Sequence, residues 1–103
     1  MLRRSRFHDV VTRQLDLFAE DEAELLAEAE AADEAWTEAG ADDSEELYGD
    51  YQLVVDAIGE WLYDLREAYA STFDESAAEE YRAELTRAAR KRFGRLASFL
   101  EDR

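Results

Sequence analysis

A chain with no proline and only four glycines has almost nothing to stop a helix. Asn-Gly and Asp-Gly hairpin dipeptides are absent too, while Ala, Glu, Leu and Arg, all good helix formers, dominate. The apolar residues then recur at helical spacing, which fixes the class as all-α.

Three long helices are predicted, over about residues 5–39, 44–73 and 75–101. The first has Phe7, Val11, Leu15, Phe18, Leu25, Ala29, Ala32 and Trp36 on one face, with the charged residue Glu22 at the skipped position. Gly40 is placed to end it. The second begins at Asp43 or Ser44, where Asp43 and Glu46 have capping-box spacing. Its stripe is Leu47, Tyr51, Val54, Ile58, Trp61, Leu65, Ala68 and Thr72, widened by a row at Tyr48, Val55, Leu62 and Tyr69. The third begins near Asp74 or Ser76 and has Ala78, Tyr81, Leu85, Ala88, Ala89, Phe93, Leu96, Phe99 and Leu100 inward. Gly94 lies inside it, at a cost of ~1 kcal/mol relative to alanine and with no evident role.

Short turns near Gly40 and Phe73 favour antiparallel neighbours. The expected architecture is an antiparallel up-down-up three-helix bundle, one helical domain over residues 1–103. Its first two helices would be roughly 45–50 Å long.

The chain carries 27 acidic and 12 basic residues, a formal net charge of −15, and Lys91 is its only lysine. Charged residues make up 38% of it, against ~25% in average proteins. The hydrophobic share of 47% separates it from disordered acidic chains. Excess carboxylate with arginine in place of lysine suits a protein working in high salt, where self-repulsion is screened. There is no cysteine and one histidine, His8, so thiol chemistry and His-based metal sites are not expected. With no apolar run of membrane-span length and no secretory h-region, the expectation is a soluble cytoplasmic protein with no membrane partner.

The charges are unevenly placed. Residues 16–80 hold 23 acids and a single base, Arg66, whereas residues 82–95 hold six bases and one acid, Glu84. The basic run "RAARKRFGR" at 87–95 therefore reads as the counterweight to an acidic first helix. At ~100° per residue, Glu22 on the first helix and Arg92 on the third both fall in apolar sectors, at equal heights in an up-down-up bundle. A partly buried Glu22–Arg92 ion pair, acting as a register device, is expected from this.

The function classes narrow accordingly. A whole-chain charge of −15 repels phosphate backbones, so nucleic acid is not an expected partner. An all-α mutase would need several inward bases, and Arg92 is the only clear one. A carboxylate-based divalent-metal enzyme, such as an all-α nucleotide pyrophosphatase-like hydrolase, is the catalytic alternative. The helix pattern of that class is not met, because "EEYRAE" has the wrong spacing, and the best remaining acid cluster is Asp33, Glu46 and Asp50. No catalytic, cofactor-binding or metal residue is assigned, and no cofactor is expected. The favoured reading is not an enzyme but a structural or protein–protein interaction module adapted to high salt, with a protein partner or a second copy as a homodimer. Val10, Leu17, Leu53, Ala57 and Tyr63, off or at the edge of the core stripes, are the candidate contact residues.

Overall fold

A computed structural model describes residues 5–40 and 43–102, with the backbone alone for 101 and 102. It is all-helical, with no strand among the described residues. Among the described residues four α-helices follow in order: α1 (His8–Asp21), α2 (Ala23–Glu38), α3 (Ser44–Ala70) and α4 (Glu75–Phe93). A 3₁₀ helix (Gly94–Asp102) comes after them.

Two of the three expected helices are therefore each divided. The segment 5–39 breaks at Glu22, whose backbone leaves the α region at φ −111°, ψ 31°. The break is a bend more than an interruption, since Glu22 N–H still donates to Phe18 O at 2.8 Å and Leu26 N–H to Glu22 O at 3.0 Å. It falls on the one charged residue in the apolar stripe. A straight helix would press that carboxylate into the core, where an unpaired charge is costly.

The segment 75–101 ends as an α-helix at Phe93. Gly94 caps it with φ 61° and ψ −135°, a conformation in practice open only to glycine. Gly94 is thus the residue that turns the chain back, correcting its reading as a mid-helix liability. Beyond it, the 3₁₀ helix packs on both α3 and α4. Its Phe99 reaches the α3 backbone at Gly59.

The middle helix, expected over 44–73, ends at Ala70. At the start of α4, Asp74 accepts from Ala77 N–H at 2.9 Å and so satisfies a first-turn donor. Of the two expected starts, Asp74 and Ser76, the cap is Asp74.

One buried cluster takes residues from every element: Val11, Leu15 and Phe18 of α1, Ala29 of α2, Ile58 and Leu62 of α3, Tyr81 and Leu85 of α4, and Leu100 of the 3₁₀ helix. At one end Phe7, Tyr69, Phe73 and Tyr81 pack ring on ring at 5.0–5.8 Å. The fully buried Tyr81 donates its hydroxyl to Gln14 Oε1 at 2.7 Å. Burial pushes its phenol up to about 12. At the other end Trp36 packs on Tyr48 and Tyr51 at 4.9 and 5.5 Å, joining α2 to α3. In this arrangement α2 packs on α3 and α1 on α4.

Candidate functional site

The expected Glu22–Arg92 pair does not form. The Arg92 guanidinium bonds Asp16 instead, six residues earlier on α1, and it does so at the surface, with Arg92 38% exposed. The error was one of register. The expectation set the starts of the two helices level, whereas Arg6 pairs with Glu80 and Asp16 with Arg92, so α1 and α4 are offset along their axes by more than a turn from that register. Glu22 is left half-buried, with no ion-pair partner among the described residues.

The wider charge argument fares better. Arg92 bonds Asp16 of α1, Arg95 bonds Asp33 of α2, and Arg6 bonds Glu80 at 2.7 Å. The basic run does face acids of the first two helices, although at Asp16 and Asp33 and not in the stretch 20–28. Of the run's other three bases, two bond nearer home, Arg87 to Glu84 at 2.7 Å and Arg90 to the Gly94 carbonyl at 3.0 Å.

Asp33, Glu46 and Asp50 do not converge. Asp33 is bound to Arg95, whose guanidinium also lies 5.4 Å from the Tyr51 ring centre. Among the described residues no group of three or more His, Asp or Glu side chains is placed to hold a metal ion. No helix among them is long and apolar enough to cross a membrane.

The candidate contact residues divide. Leu53 is 70% exposed and Leu17 52%. Val10 and Tyr63 instead pack against the core, Tyr63 with its ring edge-on to Phe99 at 6.4 Å. The residue missed as a surface feature is Trp61, which the α3 stripe assigns to the interior but which is 55% exposed. Because α1 packs chiefly on α4, the side of α3 that bears Trp61 is left without a covering helix.

That side forms a groove between α1 and α3, made of two adjoining hollows of about 530 and 450 Å³. Phe18 and Leu65 lie at its base in both hollows, and Leu17 and Trp61 stand at its edges. The polar groups around it are Gln14 and the acids Asp21, Glu22 and Asp64. No base lines either hollow among the described residues. The groove is an apolar trough with an acidic rim, on a protein whose overall charge has the same sign.

Arg66, the only base in the acidic stretch, was also missed. It is 3% exposed. Its Nε donates to Glu67 at 2.9 Å, and its Nη1 to Thr86 Oγ1 at 2.9 Å and to the Leu100 carbonyl at 3.4 Å. The guanidinium carbon lies 5.2 Å from the centre of the Tyr63 ring. Arg66 therefore ties α3 to α4 and to the 3₁₀ helix. The signal was present in the sequence, because Arg66 falls between Leu62 and Tyr69 in the flanking apolar row, where a charge needs partners.

The chain matches no known family model, no curated protein and no solved structure among those compared.

Proposed function

We propose that this chain is a protein-interaction module adapted to high salt, and that its α1–α3 groove receives the apolar face of a partner helix flanked by Lys or Arg. The observation that carries this reading is the groove itself: Phe18 and Leu65 beneath, Leu17 and Trp61 half or more exposed at the edges, and Asp21, Glu22 and Asp64 around them. Large apolar side chains gathered in one trough mark an interaction site, whereas scattered ones do not. A trough between helices suits a helix laid along it, with its anchors at i, i+3 and i+4. Burial of apolar groups supplies the affinity, and the acidic rim selects the sign of the partner's flanks.

A second copy of the chain fits less well. Two-fold docking of groove on groove would set Asp21 and Asp64 of one copy near those of the other, on chains that each carry −15. The expected homodimer is for this reason the competing outcome. The carboxylate-metal alternative loses its best ligand set, since Asp33 is engaged by Arg95.

The up-down-up topology belongs to the same proposal, with α1 and α2 as one bent leg. In its support, contacts climb α1 and α4 together, from Arg6–Glu80 through His8–Glu84 to Asp16–Arg92. Meanwhile Trp36 near the end of α2 meets Tyr48 near the start of α3.

The test is titration with a model Leu/Lys amphipathic helix, followed by the emission of Trp61 in a Trp36→Phe background. A saturable blue shift is expected, at least tenfold weaker with a Leu/Glu helix of reversed charge and at least tenfold weaker in Leu17→Asp. Equal binding of both peptides, or none, overturns the reading. So does sedimentation as a dimer that leaves Trp61 unresponsive.

A further inference from the structure

Gln14 of α1 joins the core to the groove. The fully buried Tyr81 donates its hydroxyl to Gln14 Oε1 at 2.7 Å. The same Gln14 lines both hollows between α1 and α3. On the reading of that groove as a site for a partner helix, we infer that Gln14 sets its specificity: the outward amide N–H donates to a single carboxamide, Gln or Asn, set within the partner's apolar face.

The buried phenol decides which way the amide points. Tyr81 has one O–H to donate, and only a Gln14 with its oxygen inward accepts that hydrogen. The Nε2 group therefore turns away from Tyr81. It has no protein partner. Gln14 is half-buried, and no buried side-chain nitrogen or oxygen among the described residues lacks a partner. Nε2 must then reach the surface, and the surface that Gln14 lines is the groove. Tyr81 is itself packed against Phe7, Tyr69 and Phe73, so the amide is held in place before any partner arrives.

A wholly apolar partner would cover this N–H pair and leave it without water or acceptor, which is costly. A carboxylate would answer it but would face Asp21, Glu22 and Asp64 in the same hollows. The carbonyls of a helix are spent along its own axis, and Ser or Thr hydroxyls are short and turn back to them. A carboxamide meets both walls. Its oxygen accepts from Gln14 on α1, and its N–H groups donate to a rim acid such as Asp64 on α3. One polar residue in an apolar seam fixes register, and here it fixes where the partner helix stops along the groove.

The test extends the Leu/Lys titration to peptides in which one Leu of the apolar face at a time becomes Gln. Trp61 emission in the Trp36→Phe background again reports binding. At one position the Gln peptide is expected to bind at least as tightly as the all-Leu peptide, and elsewhere about tenfold more weakly. Gln14→Leu/Tyr81→Phe removes both partners of the buried bond, so no phenol is stranded. On that protein every Gln peptide is expected to bind about tenfold more weakly than the all-Leu peptide. The chain has two side-chain amides, Gln14 and Gln52, and no asparagine. Heteronuclear NMR thus reads Gln14 directly, with Gln52, bonded to Asp56 at 2.9 Å, as the control. The favoured Gln peptide is expected to shift the Gln14 amide and to leave that of Gln52 in place. Equal weakening at every position on both proteins, or a Gln14 amide that does not move, overturns the role of Gln14. The groove reading survives that result if the all-Leu peptide still binds the parent and is lost in Leu17→Asp. If no peptide binds, both fall.

Discussion

Phe99 of the 3₁₀ helix lies so close to α3 at Gly59 that a Cβ on Gly59 would sit 2.4 Å from the Phe99 Cβ. No real pair of carbons tolerates that distance, so the glycine is what allows the last segment to dock. Gly59→Ala gains ~1 kcal/mol of helix propensity, yet it forces the segment off α3. A net loss of about 1–3 kcal/mol is expected from the displaced packing. Urea denaturation measures it, and a double-mutant cycle with Phe99→Gly, which removes the Phe99 Cβ as well as the ring, identifies the cause. Once both are gone, the alanine at 59 should cost little or should stabilise. Simple additivity of the two changes would refute the contact as the origin.

Two other glycines have open space where a side chain would begin and still predict opposite signs. Gly49 lies within α3 at an ordinary helical φ with nothing within 4 Å of a Cβ position, so Gly49→Ala should stabilise by about 0.5–1 kcal/mol. Gly94 has equal room but sits at φ 61°, so Gly94→Ala should cost about 1–3 kcal/mol through backbone strain alone. Thermal melts of the pair decide this. Stabilisation by Gly94→Ala, with a rise in helical circular dichroism, would mean that α4 runs on and the turn is not required.

The stripes foretold most of the interior, because a 3.6-residue period reports directly which face is apolar. Val11, Leu15, Phe18, Ile58, Tyr81, Leu85 and Leu100 all lie buried as the spacing demands. Periodicity cannot say whether a helix goes on or folds back. Leu96, Phe99 and Leu100 keep the spacing through the turn at Gly94, and so the 3₁₀ helix was hidden inside a longer α-helix. The register claim for Glu22 and Arg92 failed for a different reason: it set the helix starts level, and periodicity does not report how far one helix slides along another. Trp61 was misplaced because exposure depends on which helix covers α3, and that is a tertiary fact. The groove was legible only through Leu17.

Glu67 joins Arg66 to Arg82, and its acid dependence follows. Burial raises its carboxyl, but hydrogen bonds from Arg82 and then Arg66 outweigh this and hold it below the ordinary 4.5. A carboxyl depressed in the folded state contributes stability that is present above its unfolded pKa and lost as pH falls through the folded value. Glu67→Gln should therefore cost about 1–2 kcal/mol at pH 7, where it leaves the buried Arg66 with one ionic partner fewer. The gap between parent and variant should narrow below pH ~4.5. Denaturant midpoints of both proteins between pH 3 and 7 test it. A gap that stays constant or widens on acidification would show that Glu67 is not ionised against these arginines.

Salt acts on two opposed sets of charges, and their sizes predict the winner. The surface pairs Arg6–Glu80, Arg92–Asp16 and Arg95–Asp33 are each worth ~0–1 kcal/mol and weaken as salt rises. Against them stand 23 acids and one base over residues 16–80, a local net of −22 whose repulsion the same salt relieves. Raising KCl from about 0.1 M to 1 M shortens the screening length from ~10 Å to ~3 Å. The melting temperature at pH 7 should therefore rise. Near the isoelectric pH of about 4.3 the net charge vanishes and the rise should largely disappear, which separates screening from a general salting effect on apolar burial. An equal rise at both pH values would assign the effect to burial and remove the charge-based case for adaptation to high salt.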